Sequence, residues 1–319
     1  MLKRLTFGKC VVVGMVLVLL LASLGASVGA QKQYRYTIGF SQVVMNCPYY
    51  LALYQGAVDT AERLGVKLIW LNADNIVARQ IADMEDLITK KVNGIIVNPV
   101  TPTALDSAVK KALAAKIPII CADRELAEGH VGYVGIDQWK AGELAGELIG
   151  KTLNGKGKVV EIAGDPGDSA GKGRGGGMHA VLSQKYPGIK IVGPYIAHYN
   201  TAEGMARMEE ALAAHPDVNL VYAHNDAMAL GALKTLRAAG RKDVYVVGID
   251  GQRQAYEEIM KGGQYIGTVI NNSYEIATKA VEMMVDHLDG KSHAPRVITG
   301  TILVTKENVQ KYYNPDSIF

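Results

Sequence analysis

Cysteine, phenylalanine and tryptophan are scarce in this sequence. Its 319 residues include three Cys, three Phe and two Trp. Past residue 30 only Cys47 and Cys121 remain. Neither has the paired spacing of a zinc site, and buried free thiols are the expected state, although an exported chain could oxidise them. No catalytic set emerges either. His179, His198, His215 and His224 lack a metal-ligand rhythm such as His-Glu-x-x-His, and Ser41 and Ser169 lack a nucleophile elbow. No metal, cofactor or activated nucleophile is expected, and histidines without a partner read as structural.

Net charge is also missing, once the first residues are set aside. Lys3, Arg4 and Lys9 precede an uncharged apolar run, Cys10–Ala30, that ends in small residues. That order is a secretory leader, with Val28 and Ala30 fitting the cleavage rule and Gln31 as the mature start. The run is also long enough for an uncleaved membrane anchor. Cys10 stands at its beginning, where a lipid-attachment cysteine does not belong. The whole chain has 34 Lys+Arg and 31 Asp+Glu, so removing three leader cations leaves 31 of each. A neutral mature chain argues against a broad nucleic-acid or membrane footprint.

About 290 mature residues predict two domains, and the pattern agrees. Strand-like runs at 35–41, 66–71, 94–98 and 117–121 alternate with helix-like runs at 48–65, 75–92, 103–115 and 137–153. Leu51, Tyr54, Val58 and Ala61 mark the expected inner stripe of the first helix, and Ile81, Met84, Ile88 and Val92 that of the second. The alternation restarts near Lys158. Strands follow at 158–163, 189–195, 219–223, 244–249 and 265–271, with helices at 175–185, 201–214, 227–239, 252–261 and 274–288. Near-continuous apolar strands between helices predict α/β lobes with parallel sheets buried on both faces. With no low-complexity linker, the last helix returning to the first lobe and the tail after Thr299 crossing back, several crossings predict a hinge.

The strand ends carry the chemistry. Asn98, Asp123-Arg124, Asn225-Asp226 and Asp250 each follow an apolar strand, where open α/β sheets present ligand groups. Carboxylates accept from hydroxyls and guanidinium forks donate, so together they suit a small, hydroxyl-rich molecule. Asp226 is expected to cap the helix behind it and Asn225 to meet the ligand. The run Ser169–Gly177 superficially resembles a phosphate loop. Asp165–Ala170 separate its Gly171-x-Gly173-x-x-Gly176 pattern from the strand, no acidic residue closes the next strand, and the Walker Lys-Ser/Thr is absent. Its glycines are read as the start of a helix with Arg174 pointing inward. Tyr49, Tyr50 and Tyr199, at strand-to-helix turns, offer flat faces and hydroxyls.

Together these residues identify a resemblance. From about Tyr36 to Val304 the chain resembles the periplasmic sugar-binding proteins of ABC importers, nearest the ribose type and its galactofuranose-binding relatives. The resemblance rests on Ile38-Gly-Phe-Ser41, Pro48-Tyr-Tyr50, Ile96-Val-Asn-Pro99, Asp123-Arg124, Asp137 at a helix start, Ser169 with Arg174-Gly, Ala223–Gly231 and Val247–Gly251. It implies two Rossmann-like lobes joined by a three-crossing hinge, the type I periplasmic binding protein fold. The expected layout is a leader at 1–30, a first lobe of 31–136 plus 272–299, and a second of 137–271 plus 300–319. It also implies a non-enzymatic, monomeric protein whose partners are a sugar and an importer permease. The implied ligand residues are Ser41, Tyr49, Tyr50, Asn98, Asp123, Arg124, Arg174, Tyr199, Asn225, Asp250 and Asn271, with Asn46 a further candidate in a loop about two residues longer than the ribose type has. Cys47, Tyr49-Tyr50, Ile249 and Asn271 depart from the ribose pattern and imply a more polar, differently shaped pocket. Two other readings stand beside transport: a sensor that presents its ligand to a chemoreceptor or kinase, and an exported glycosidase using Asp123 and Asp250.

Overall fold

The computed structural model describes residues 33–319, and the leader expected at 1–30 lies outside them. Two six-stranded sheets organise the chain. The first holds β1 (Thr37–Gln42), β2 (Lys67–Asn72), β3 (Gly94–Val97), β4 (Ile119–Ala122), β5 (Gly132–Gly135) and β11 (Arg296–Ile298), in the order β2-β1-β3-β4-β5-β11. The second holds β6 (Lys156–Ala163), β7 (Gly188–Ile196), β8 (Leu220–Ala223), β9 (Tyr245–Asp250), β10 (Tyr265–Ile270) and β12 (Leu303–Thr305), in the order β7-β6-β8-β9-β10-β12. The two orders are the same doubly wound arrangement used twice, which explains the restart near Lys158. Every pairing is parallel except β10 with β12.

Nine α-helices cover the sheets among the described residues: α1 (Pro48–Arg63), α2 (Val77–Thr89), α3 (Asp106–Ala114), α4 (Gln138–Thr152), α5 (Ser169–Lys185), α6 (Thr201–Ala214), α7 (Asp226–Ala238), α8 (Arg253–Lys261) and α9 (Ser273–Leu288). Each sheet buries apolar side chains on both faces. Ile38, Phe40, Ile96 and Ile120 face α1 and α9, while Ile95, Val97, Ile119 and Cys121 face the α2–α3 side. None of these helices is long and apolar enough to cross a membrane.

Three expectations need correction. The inner stripe of α1 is Tyr50, Leu53, Ala57 and Ala61, and Leu51 is 52% exposed. This helix packs on both the sheet and α9, so its buried face is wider and rotated from the single stripe expected. Helix α5 starts at Ser169, six residues before the expected position. Its glycines are helical, as expected, and also form a packing surface: a Cβ on Gly177 would collide with the Trp139 carbonyl of α4, and one on Gly142 with the Arg174 carbonyl of α5. Small residues let two helix backbones approach closely. The short strands β5, β11 and β12 had no signal, because each holds only two consecutive apolar residues, where β3, β4 and β8 hold three or four.

The chain passes between sheets at 136–137, 271–272 and 299–302. Both cysteines are free thiols; Cys121 is buried and Cys47 half-buried. Desolvation pushes both thiols up to about 12.

Candidate functional site

The carboxyl ends of both sheets face one small cavity. It is lined by Tyr49, Tyr50, Asp123, Arg124, Arg174, Tyr199, Asn225 and Asp250, together with Cys47 and Ala170. Eight of the twelve residues singled out in the sequence therefore meet there. The strand-end rule works because a parallel sheet ends all its strands on one edge, and the loops leaving that edge converge.

Pro48 begins α1, which fixes the turn that puts Tyr49 and Tyr50 on the first helical positions. The Tyr49 hydroxyl donates to Asp123 Oδ1 at 2.7 Å and accepts from Asn271 Nδ2 at 3.0 Å. Burial raises the Tyr49 hydroxyl well above the usual tyrosine range, so it keeps its proton for that bond. Asn98 Nδ2 donates to Asp123 Oδ2 at 3.2 Å. Asn98 and Asn271 thus stand behind the cavity wall and hold its carboxylate and phenol. The buried Oδ1 of each has no partner in the protein.

The second lobe contributes an ion pair. Arg174 Nη1 lies 3.2 Å from Asp250 Oδ1 and donates to the His224 carbonyl at 2.6 Å, while its Nε donates to Gln138 Oε1 at 2.8 Å. Burial pushes the Asp250 carboxyl up to about 8, and the Arg174 guanidinium pulls against it. Asp123, Tyr199 and Asp250 have φ of 67°, 59° and 131°. Such backbone costs of order 1–3 kcal/mol per residue and persists where surrounding contacts enforce it, commonly at ligand sites.

Arg124 reaches across the cleft. Its Nη2 donates to Asp165 at 3.2 Å and lies 3.6 Å from Asp168, both in the second lobe, and it also meets Tyr50 Oη at 3.2 Å. Asn75 Nδ2 donates to Asp165 and the Glu125 amide to Ser169 Oγ, so the lobes are closed on one another.

A model of the periplasmic binding protein domain family matches residues 38–292. The chain belongs to that family. The ribose import binding protein of Bacillus subtilis is 37% identical over 264 residues, 82% of this chain and 84% of that protein. A solute binding protein of an ABC transporter from Mycobacterium smegmatis, solved with bound glycerol, superposes with a TM-score of 0.85 at 36% identity, covering 89% of this chain and 98% of the other. A periplasmic solute binding protein from Actinobacillus succinogenes with bound D-allose gives 0.81 at 29% identity, covering 87% and 100%.

Within this binding protein, two residues singled out earlier lie off the cavity wall in addition to Asn98 and Asn271. Asn46 sits at the rim, where its Nδ2 donates to the His198 carbonyl across the cleft at 3.2 Å. Ser41 is buried under the first sheet's edge with its hydroxyl unpartnered. The roles expected of Asn225 and Asp226 are partly exchanged. Asn225 is the helix cap, accepting from the Met228 amide at 2.9 Å, and it also lines the cavity. Asp226 instead accepts from the Gly251 and Gln252 amides, Tyr265 and Thr268. A capping side chain must leave extended backbone just before the first turn, and Asn225 has φ −146° and ψ 166°.

Sequence reasoning missed Asp165, Asp168 and Gln138. Asp165 follows β6 after the single residue Gly164, so the strand-end rule used elsewhere would have found it. Asp168 caps α5 and accepts from Tyr199 Oη at 2.9 Å; its position beside a glycine run concealed the cap. His179 and His224 have a partner after all, since the two carboxylate oxygens of Glu161 are each 2.8 Å from one of them. Among the described residues no group of three His, Cys, Asp or Glu could hold a metal ion.

Proposed function

We propose that the protein is an exported receptor that captures one monosaccharide or similar polyol between its lobes and delivers it to an ABC importer. The observation that carries this reading is the composition of the cavity wall. Two carboxylates, two guanidinium groups and three tyrosines surround one buried space. Carboxylates accept from hydroxyls, guanidinium forks donate to hydroxyl and ring oxygens, and aromatic faces cover C–H surface, which together match an uncharged sugar. Ribose, glycerol and D-allose, the ligands of the relatives named above, belong to the same chemical class.

In the proposed mechanism the lobes are 31–136 plus 272–299 and 137–271 plus 300–319, hinged at their crossings. Asp123, with Tyr49 and Asn98 fixing its orientation, meets the ligand from the first lobe. Arg174, Asp250 and Asn225 meet it from the second. Contacts available only in the closed form draw the population closed. A micromolar dissociation constant, about −8 kcal/mol, is ordinary for such a site. The reading is non-enzymatic and monomeric, with the leader removed after Ala30.

A thermal-shift screen of residues 31–319 against D-ribose, D-allose, other pentoses and hexoses, xylitol and glycerol tests it. Ligand at 100 times its dissociation constant stabilises by about 2.7 kcal/mol, which raises the melting temperature by several degrees in a chain this size. No shift with any sugar or polyol at millimolar concentration rejects the reading.

A further inference from the structure

A second, larger space adjoins the sugar cavity. It measures about 470 Å³ and is lined by Gln55 and Tyr274 from the first lobe, Asp250 and Arg253 from the second, and the chain segment from Tyr312 to Phe319. Asp250 borders both spaces. So does the Tyr49–Phe319 pair: Tyr49 lines the sugar cavity, Phe319 lines the larger one, and their rings meet edge to face with centroids 5.5 Å apart at 80°.

The segment joins the two lobes. Tyr312 and Tyr313 pack on the second lobe's core beside Val309, and Arg253 Nη1 donates to the Pro315 carbonyl at 2.9 Å. Phe319 packs against the first lobe's core, which includes Tyr49 and Tyr50. Residues 314–319 therefore form a crossing in addition to the three between the sheets. Opening the hinge must either extend 314–318 or withdraw Phe319 from Tyr49.

We propose that 314–319 is a strap that retains the bound sugar. In this role Phe319 is a positioning residue: its edge on Tyr49 holds the phenol in its bond to Asp123 and closes the cavity on that side. The proposal deepens the sugar-binding reading and rests on it. Edge-to-face ring pairs have a preferred geometry beyond simple burial, and changes around a preformed site act mostly on dissociation.

The test compares wild type with Phe319→Ala and Phe319→Tyr, using whichever of D-ribose, D-allose or xylitol raises the wild-type melting temperature most. Stopped-flow fluorescence is expected to show dissociation faster by about tenfold in Phe319→Ala, association within about twofold of wild type, and wild-type rates in Phe319→Tyr. Unchanged dissociation, or equal losses in both variants, overturns the proposal. Phe319→Leu replaces Phe319→Ala if the alanine variant does not fold. Hydrogen exchange of the ligand-free proteins keeps the two readings separable. If no probe binds wild type, the sugar reading fails, and exchange at Leu51–Leu53 decides the strap. Faster exchange there in Phe319→Ala supports it, and equal exchange rejects it.

Discussion

Arg124 and Arg174 look alike by burial, at 1% and 3% exposed, yet their partners lie in different places. Arg174 is tied inside its own lobe to Gln138, the His224 carbonyl and Asp250. Arg124 finds both of its carboxylates, Asp165 and Asp168, across the cleft. One guanidinium is set before the lobes meet, and the other gains its ion pairs only when they do. In the proposed mechanism Arg174 is therefore a preorganised ligand group, and Arg124, also on the cavity wall, is in addition part of the latch. On that reading the same residue type supports affinity in one lobe and closure in the other.

The largest expected effect falls on the preorganised side. Arg174→Ala should weaken sugar binding by about 100-fold or more, since truncating one member of a buried charge pair costs about 2–5 kcal/mol. Calorimetry showing wild-type affinity would break the comparison. Asp226→Ala strips partners from two backbone amides at the turn that presents Asp250. It should destabilise by about 2–3 kcal/mol in urea titration, more than the roughly 1 kcal/mol for loss of the Asn225 cap. The reverse ranking would restore the roles expected from the sequence. Asp165→Ala should weaken binding by about tenfold, almost all in the dissociation rate, because it removes a latch contact and no ligand group. An equal change in association would place Asp165 in the ligand's first encounter instead.

The smallest effect is a pH dependence in the second lobe. Glu161, held down to about 2 by hydrogen bonds from His179 and His224 against its burial, contributes stability present above the unfolded carboxyl value of roughly 4.3 and lost as pH falls through about 2. His179 is raised chiefly by its hydrogen bond to Glu161, so its contribution is fully present below roughly pH 6.5 and is lost as pH rises through the folded value. Both are complete between about pH 4.3 and 6.5. His179→Gln should flatten the alkaline side of that window by a degree or two in melting temperature, the half-exposed position limiting the effect. An unchanged profile would show the pair to be energetically neutral.

Much of the fold was legible because parallel strands buried on both faces are written as unbroken apolar runs, such as Ile117–Cys121 and Val244–Ile249. The cavity wall was legible for the same reason, as the residue after each run had to lie on one sheet edge. The resemblance stated from those residues named the family that the comparisons then matched over 38–292. What stayed hidden depended on partners distant in sequence. Gly142 and Gly177 fell inside expected helices, but their role as the seam between α4 and α5 was hidden because the atoms they meet lie in the neighbouring helix. The cap fell to Asn225 rather than Asp226 because the turn after β9 offers Asp226 the Gly251 and Gln252 amides.

The sequence by itself determined the alternation of elements, the two-lobe repeat, the balance of charge past residue 30 and the set of strand-end side chains, all of which follow from local periodicity and composition. Only the tertiary structure decided which of those side chains pair within a lobe and which across the cleft, and that 314–319 runs from one lobe's core to Tyr49 in the other. Those are long-range contacts, fixed by how two sheets and their helices pack in space, and no local pattern encodes a distance between residues 49 and 319.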